Sequence, residues 1–132
     1  MQATRRLRLQ AVIQEELSVV VPREVKDPRI PLVTFTQVEV TPDGSQATVY
    51  VSILGAGTVL EGQSEEQAAQ DAQREMKACL EGLTSASGFL RRHLARVLNV
   101  RHIPTLIFKE DRGLANTLRV HELLKKISSE ES

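Results

Sequence analysis

The residues with the clearest chemical potential form an arginine-rich stretch that begins after three small residues, Ala86-Ser87-Gly88. Helical spacing places Arg91, Arg92 and Arg96 on one side of this stretch and an apolar stripe on the other. The stripe and its edges consist of Phe89, Leu90, His93, Leu94, Val97 and Leu98. Guanidinium groups bind phosphate oxygens through paired N–H donors, and a helix start near Ser87 adds backbone N–H groups. The pattern indicates a phosphate-binding helix, and a solvated amphipathic helix is the alternative with the same spacing.

Further arginines flank this stretch. Arg5, Arg6 and Arg8 fall in the first turns of a predicted N-terminal helix, where they either contact phosphate or form a solvated helix end. Arg101 follows the arginine-rich helix. The formal net charge is zero, yet residues 83–112 hold six Lys or Arg against two acidic residues, and residues 61–81 hold the reverse. One surface should therefore be basic and suited to a polyanion, and another acidic, facing away or toward a basic partner.

Length and composition limit the class of protein. The 132 residues suit one domain, which we assign to residues 1–127, with a disordered polar tail at 128–132. The single cysteine, Cys79, lies in a helical pattern and indicates a core thiol in a reducing compartment. No run suits a membrane span or signal peptide, so we expect a cytoplasmic protein, and we expect it to be a monomer. Because histidines and aspartates are dispersed, we expect no catalytic centre, metal site or cofactor.

The rest of the sequence predicts the elements that position the arginines. Alternating β-branched residues on either side of Pro42-Asp43-Gly44-Ser45 predict an antiparallel hairpin. In its first strand the apolar residues change face between Phe35 and Val38, which either a bulge or cover on both faces would explain. The predicted elements are a helix at 3–21 ended by Pro22, strands at 32–41 and 46–53, a glycine-containing loop at 54–63, a helix from Ser64, the arginine-rich helix to about Leu98, a strand at 105–109 and a short helix at 118–127.

The helix that begins near Ser64 has a strong start signal. Ser64 is a good N-cap and is followed by acidic residues in the first turn. Its predicted buried stripe consists of Ala69, Ala72, Met76, Leu80 and Leu83. Small residues dominate the early part of the stripe, so we expect the helix to lie close to the sheet.

The order helix, strand, strand, helix, kink, helix, strand predicts an α+β fold with a three-stranded sheet and helices on one face. This is the element order of a type II KH domain, a fold used for RNA binding. KH domains hold nucleic acid with a Gly-x-x-Gly loop between the two helices, and no pair of glycines here has that spacing. Ala86-Ser87-Gly88 stands in its place.

Several segments, in this order, resemble the bacterial ribosome-binding factor A family from about Arg5 to Leu124. The segments are Arg5-x-x-Arg8, Asp27-Pro28-Arg29-Ile30, Val38-x-Val40-Thr41-x-Asp43, Ala47-x-Val49-Tyr50-Val51-Ser52, Ala86-Ser87-Gly88-Phe89-Leu90-Arg91 and Val100-Arg101-x-Ile103-Pro104-x-Leu106-x-Phe108-x-x-Asp111. The resemblance implies a KH-like fold in which an Ala-x-Gly kink replaces the glycine loop. It also implies a factor without enzymatic activity that binds the free 30S small ribosomal subunit and assists late maturation and 5′-end processing of 16S rRNA, notably in cold adaptation.

On this interpretation the arginine-rich helix and the residue after it contact RNA phosphate, and the N-terminal arginines extend the surface. The first group is Arg91, Arg92, Arg96 and Arg101, and the second is Arg5, Arg6 and Arg8. Ala86, Ser87 and Gly88 form the kink motif, in which Ala86 and Gly88 set the helix angle. The alternative is a protein-interaction module of another RNA-related complex that uses the acidic helix or the exposed sheet face.

Overall fold

Three helices and three strands follow one another in the predicted order within residues 2–112, the part of the chain that the computed structural model describes. The elements are α1 (Ala3–Glu24), β1 (Val33–Val40), β2 (Gln46–Ile53), α2 (Glu65–Ser85), α3 (Ser87–Val97) and β3 (Thr105–Glu110). The α+β class and the type II KH-like order are confirmed. The predicted helix at 118–127 and the tail at 128–132 lie outside the described residues.

The strands form one mixed sheet in the order β1-β2-β3, with β1 antiparallel and β3 parallel to β2. Every second residue of β2 is buried, as the alternation predicts. The pairing of β1 with β2 shifts register between Phe35 and Gln37, so that Thr36 is the extra residue of a β-bulge. The bulge therefore explains why Phe35 and Val38 are both buried despite their odd spacing.

Helix α1 is longer than predicted. It continues through Pro22 to Glu24, and the Val25 N–H closes it on the Val21 carbonyl at 3.1 Å. The expected stop at Pro22 is wrong, because the fixed φ of proline is itself helical and its missing N–H forfeits only one bond near the helix end.

Two glutamines of α1 cover the outer edge of the sheet. Gln14 Nε2 donates to the Phe35 carbonyl at 2.8 Å, and Gln10 Oε1 accepts from the Val40 N–H at 2.9 Å. Because β1 is an edge strand, these backbone groups have no strand partner on that side, and an open edge invites pairing with other chains. The side chains of one helix thus occupy an edge that the sheet leaves open.

Helix α2 begins as predicted, and Met76 and Leu83 of its predicted stripe are buried, whereas the other three positions of the stripe are not. The Ser64 side chain accepts from the Gln67 N–H at 3.1 Å and caps the helix. Ala69 is exposed and Ala68 is buried in its place. Residues four apart lie on the same face of a helix, and Ala68 lies eight residues before the buried Met76. Cys79 is fully buried and Leu80 only half-buried. Burial raises the pKa of the Cys79 thiol to about 11, as expected for a core residue.

Candidate phosphate-binding surface

The break between α2 and α3 is a single residue. Ala86 has φ −85° and ψ −4°, and its N–H bonds back to the carbonyls of Gly82 and Leu83 at 3.1 Å each. Gly88 lies inside the first turn of α3 and is not among the glycines with positive φ. The bend is therefore made at Ala86, and the backbone of Gly88 gives no support to its expected role in setting the helix angle.

A turn before β1 braces this bend. The Asp27 carboxylate accepts from the backbone and the guanidinium of Arg29, and these hydrogen bonds hold the pKa of Asp27 below its usual range. Arg29 Nη2 also lies 3.3 Å from Ser85 Oγ, at the last residue of α2. A Cβ on Gly82 would lie 2.9 Å from Ile30 Cγ1, so only glycine allows the turn to pack this closely. This turn therefore anchors the helix end that precedes α3.

The apolar side of α3 fixes its rotation about its axis. Leu90 and Leu94 are fully buried, whereas Val97, predicted for the same stripe, is 45% exposed because it lies in the last turn beyond the core. His93 Nε2 lies 2.9 Å from Glu16 Oε2 of α1. Apolar contact and this pairing together turn the arginines outward.

The backbone contribution at the start of α3 is weaker than the sequence suggests. Only Ala86 separates α3 from the end of α2, and the Ser87 hydroxyl donates to the Thr84 carbonyl. The negative end of the α2 dipole therefore lies beside the positive end of the α3 dipole and offsets it. Any attraction that this surface has for phosphate must therefore come from the guanidinium groups.

The arginines of α3 are exposed and follow the helix from the bend toward the next connector. Arg92 Nη1 lies 3.6 Å from the position that a Cβ of Gly88 would take, so Arg92 lies over the helix start. Arg91 Nη2 donates to the Ile103 carbonyl at 3.0 Å, which directs it to the segment that leads into β3. Arg96 is exposed one turn after Arg92.

A cleft at the closed end of the hairpin brings together arginines from distant parts of the sequence. The Thr105 N–H donates to the Ser45 carbonyl at 2.9 Å, which ties the segment before β3 to the hairpin turn. The first turn of α1 reaches the same place. The cleft is lined by Arg5, Asp43, Gly44, Val100, Arg101 and His102. Arg5 and Arg101 are thus neighbours across one concave surface, whereas Arg6 and Arg8 do not line it, and Arg6 is half-buried.

The carboxylate of Asp43 at this cleft is committed to the turn. Its Oδ1 accepts from the hydroxyl of Thr41 at 2.7 Å and from the N–H and hydroxyl of Ser45 at 3.1 and 2.8 Å. These hydrogen bonds, that of Thr41 foremost, lower the pKa of Asp43 to about 2. This oxygen already accepts three hydrogen bonds, and within residues 2–112 Asp43 forms no salt bridge with an arginine of the cleft.

Sequence reasoning did not identify two cleft residues. His102 follows Arg101 directly in the sequence, and a second basic side chain beside an arginine is the signal by which it could have been identified. Asp43 was assigned to the turn only, and no local pattern places that turn beside Arg5.

Residues 2–112 contain no group of three or more His, Cys, Asp or Glu side chains placed to hold a metal ion. Within the same residues, no helix has both the length and the apolarity needed to cross a membrane.

The fold and this surface define a small KH-like α+β domain that presents a set of exposed arginines. A family model for ribosome-binding factor A matches residues 5–124. A ribosome-binding factor A of Brevibacillus brevis is 40% identical over 130 residues, covering 98% of this chain and 94% of the relative. That of Thermomicrobium roseum is 38% identical over 130 residues, covering 98% and 88%. The chain belongs to the ribosome-binding factor A family.

Solved structures agree with this assignment. The crystal structure of ribosome-binding factor A from Thermus thermophilus has a TM-score of 0.63 at 27% identity and covers 82% of this chain and 97% of its own. A homology model of the Thermus thermophilus protein, fitted into the cryo-EM map of its complex with 30S, has a TM-score of 0.52 at 28% identity. It covers 84% of this chain and 96% of that one.

Proposed function

We propose that this protein binds the free 30S small ribosomal subunit through RNA phosphates and assists late maturation of 16S rRNA, including processing of its 5′ end. Its role is greatest during cold adaptation. It acts in the cytoplasm, as a monomer and without chemical turnover. The family and the 30S complex of the Thermus thermophilus relative support the partner.

The observation that carries this proposal is the availability of the arginines. In residues 2–112, the side chains of Arg29, Arg74 and Arg112 form salt bridges with carboxylates. The arginines of the proposed RNA surface form no salt bridge within the same residues; they are Arg5, Arg6, Arg8, Arg91, Arg92, Arg96 and Arg101. A guanidinium that is not held in a salt bridge gives up no internal ion pair when it meets a phosphate, and each such contact releases counterions from the RNA.

A factor of this kind acts by holding one conformation of precursor RNA. It shifts an RNA folding equilibrium only by the difference between its affinities for the two conformations, typically about 1 to 3 kcal/mol. Misfolded RNA persists longer in the cold, so deleting the gene should slow growth and leave unprocessed 16S rRNA mainly at low temperature. Equal growth and equal 16S maturation at low and normal temperature would contradict this role.

Co-sedimentation with purified free small subunits tests the surface directly. We expect Arg91→Glu combined with Arg92→Glu to abolish co-sedimentation without unfolding the protein, because both side chains are exposed. Arg101→Ala alone should lower the logarithmic salt slope of binding by about 1 if it contacts one phosphate.

The matched control is Arg23→Glu, an exposed arginine in the last turn of α1. It changes the net charge by the same amount per residue but lies away from the cleft. Circular dichroism establishes that each variant is folded. A folded Arg91/Arg92 variant that co-sediments like the wild type, or an equal loss with Arg23→Glu, would reject the surface.

A further inference from the structure

The open end of the hairpin carries a concentration of exposed apolar side chains. Leu32 and Leu54 are 66% and 69% exposed, and the Leu54 N–H donates to the Leu32 carbonyl at 3.0 Å, so they are cross-strand neighbours. The loop that follows adds Val59 and Leu60, the latter 66% exposed. Four of the seven exposed large hydrophobic residues of the described chain therefore lie at this end. A cluster of this kind is typical of a docking surface, whereas a single exposed leucine is not.

A groove runs from this apolar cluster along α2. It is lined by Gly55, Gly57, Thr58, Leu60, Gln63, Ala68, Asp71, Ala72 and Glu75. Its volume of about 200 Å³ is below the range of small-molecule pockets, roughly 300 to 1,000 Å³, and suits one apolar side chain of a polypeptide. Small residues of α2 form its floor and two carboxylates form its rim.

The acidic residues near the groove favour a positively charged partner. Asp71 and Glu75 line the groove, and the segment 61–81, which contains most of α2, holds six acidic residues against two basic ones. In residues 2–112 only Asp71 of these six has a salt bridge, with Arg74 at 3.1 Å. RNA would be repelled here, because the like charges of its phosphates and of these carboxylates would face each other. A partner that brings cations beside an apolar side chain would match both properties.

We propose that the groove and the leucines around it, which we call the open-end groove, bind a Lys/Arg-rich polypeptide segment that inserts one apolar side chain beside Leu60. The acidic residues of α2 pair with the flanking cations of that segment. This surface is separate from the arginines of the proposed RNA surface, and its occupation does not require RNA.

Fluorescence anisotropy with synthetic peptides tests the proposal on the full chain. The probe is a labelled peptide of repeated Lys-Leu-Lys-Gly, compared with Lys-Gly-Lys-Gly and Glu-Leu-Glu-Gly peptides of equal length. We expect the Lys-Leu-Lys-Gly peptide to bind, and Leu60→Ser to weaken it by roughly threefold to tenfold through lost apolar burial. Glu65→Gln combined with Glu75→Gln should weaken it by roughly threefold to fivefold.

The chain offers matched controls for these variants. Leu7→Ser removes a leucine that is 61% exposed on α1, and Glu15→Gln removes an exposed helical carboxylate elsewhere. Neither should change peptide binding. Circular dichroism of Leu60→Ser separates a misfolded protein from a vacant groove, so this test does not depend on binding to small subunits.

Three results would overturn the proposal. They are no binding of the Lys-Leu-Lys-Gly peptide, equal binding of all three peptides, or equal losses in Leu60→Ser and Leu7→Ser. Analytical ultracentrifugation adds a fourth, since concentration-dependent self-association that Leu60→Ser abolishes would assign the groove to a second copy of the chain.

Discussion

At the closed end of the hairpin, where Gly44 turns the chain with φ 73°, Arg5 and Arg101 line a cleft; at its open end, Leu32 and Leu54 lie exposed beside an acidic groove. Strands of eight residues place these ends on the order of 25 Å apart. The Debye length at physiological ionic strength is about 8 Å, so charges at one end hardly cancel those at the other. The net charge of zero is therefore the sum of two separate surfaces of opposite charge, and each surface acts on its surroundings with its own charge.

The two ends also differ in how firmly they are built. The segment beneath the cleft contains the fully buried Pro104, and Thr105 is tied to Ser45 by a backbone hydrogen bond. The groove is bordered by the exposed loop at 54–63, in which Gly55 and Gly57 adopt positive φ. The closed end is thus preorganised, which fits the folded RNA proposed as its partner, whereas the exposed loop at the open end fits the extended peptide proposed there.

Charge reversal at each end would give the largest contrast. On protein-free 16S rRNA, Arg5→Glu combined with Arg101→Glu should weaken binding by roughly a hundredfold, because phosphate contacts are lost and repulsion replaces them. Glu65→Lys combined with Glu66→Lys at the open end should leave affinity unchanged or slightly raised. Filter binding at several salt concentrations measures both, and equal losses at the two ends would show that RNA binding follows overall charge and not the cleft.

Replacing the glycines on either side of the bend should give smaller effects, and the two replacements should change the free energy of unfolding in opposite directions. Gly82→Ala should lower the free energy of unfolding by about 1 kcal/mol or more, because its Cβ would lie 2.9 Å from Ile30 Cγ1. Gly88→Ala should raise it by roughly 0.5 to 1 kcal/mol, since its Cβ meets only Arg92 Nη1, at 3.6 Å, and alanine favours a helix.

Urea denaturation measures both changes, and alkylation of Cys79 follows loosening of α2 because this thiol is fully buried. Alkylation should be faster in the Gly82 variant only. If both variants are equally destabilised, the bend needs glycine for backbone freedom rather than for the close approach of the turn.

The smallest expected effect concerns Asp43 at the cleft wall. Its pKa of about 2 lies below the ordinary 3.8, so folding favours the carboxylate. The stability that this provides is present above about pH 4 and is lost as the pH falls toward 2. Thr41→Ala removes the main donor and should raise the pKa of Asp43 toward 3.8, measured from carboxyl chemical shifts in an NMR titration. An unchanged value would assign the shift to Ser45 alone.

The sequence predicted features that depend on short-range pattern. The alternation of β2 and the Ser64 cap each involve neighbours within a few residues, and both are confirmed. On α2, Met76 and Leu83 are buried as predicted, but Ala69 was placed in the buried stripe instead of Ala68 because the two alanines are chemically identical and hydropathy cannot choose between them. The bulge at Thr36 remained one of two alternatives because only the pairing with β2 reveals which residue is extra.

The sequence predicted which residue types form the candidate surface, but it did not predict which of these residues lie next to each other. The outward face of α3 follows from helical spacing, so Arg91, Arg92 and Arg96 could be identified. The juxtaposition of Arg5 and Arg101 depends on β3 pairing with β2, a contact between distant segments that no local pattern encodes. The anchoring of Arg29 at Ser85 is hidden for the same reason.

The parallel pairing of β2 with β3 has a consequence for the newly synthesised chain. α1 and the hairpin lie within the first 53 residues, so they can assemble early in synthesis. β3 can pair with β2 only after α2 and α3, which lie between these strands in the sequence, have been synthesised. Because Arg101 lies on the connector that the Thr105 bond pins to Ser45, the cleft it shares with Arg5 exists only after this last pairing. A nascent or partly opened chain lacks that half of the surface, so, if the cleft binds RNA as proposed, RNA affinity would distinguish folded molecules from incompletely folded ones.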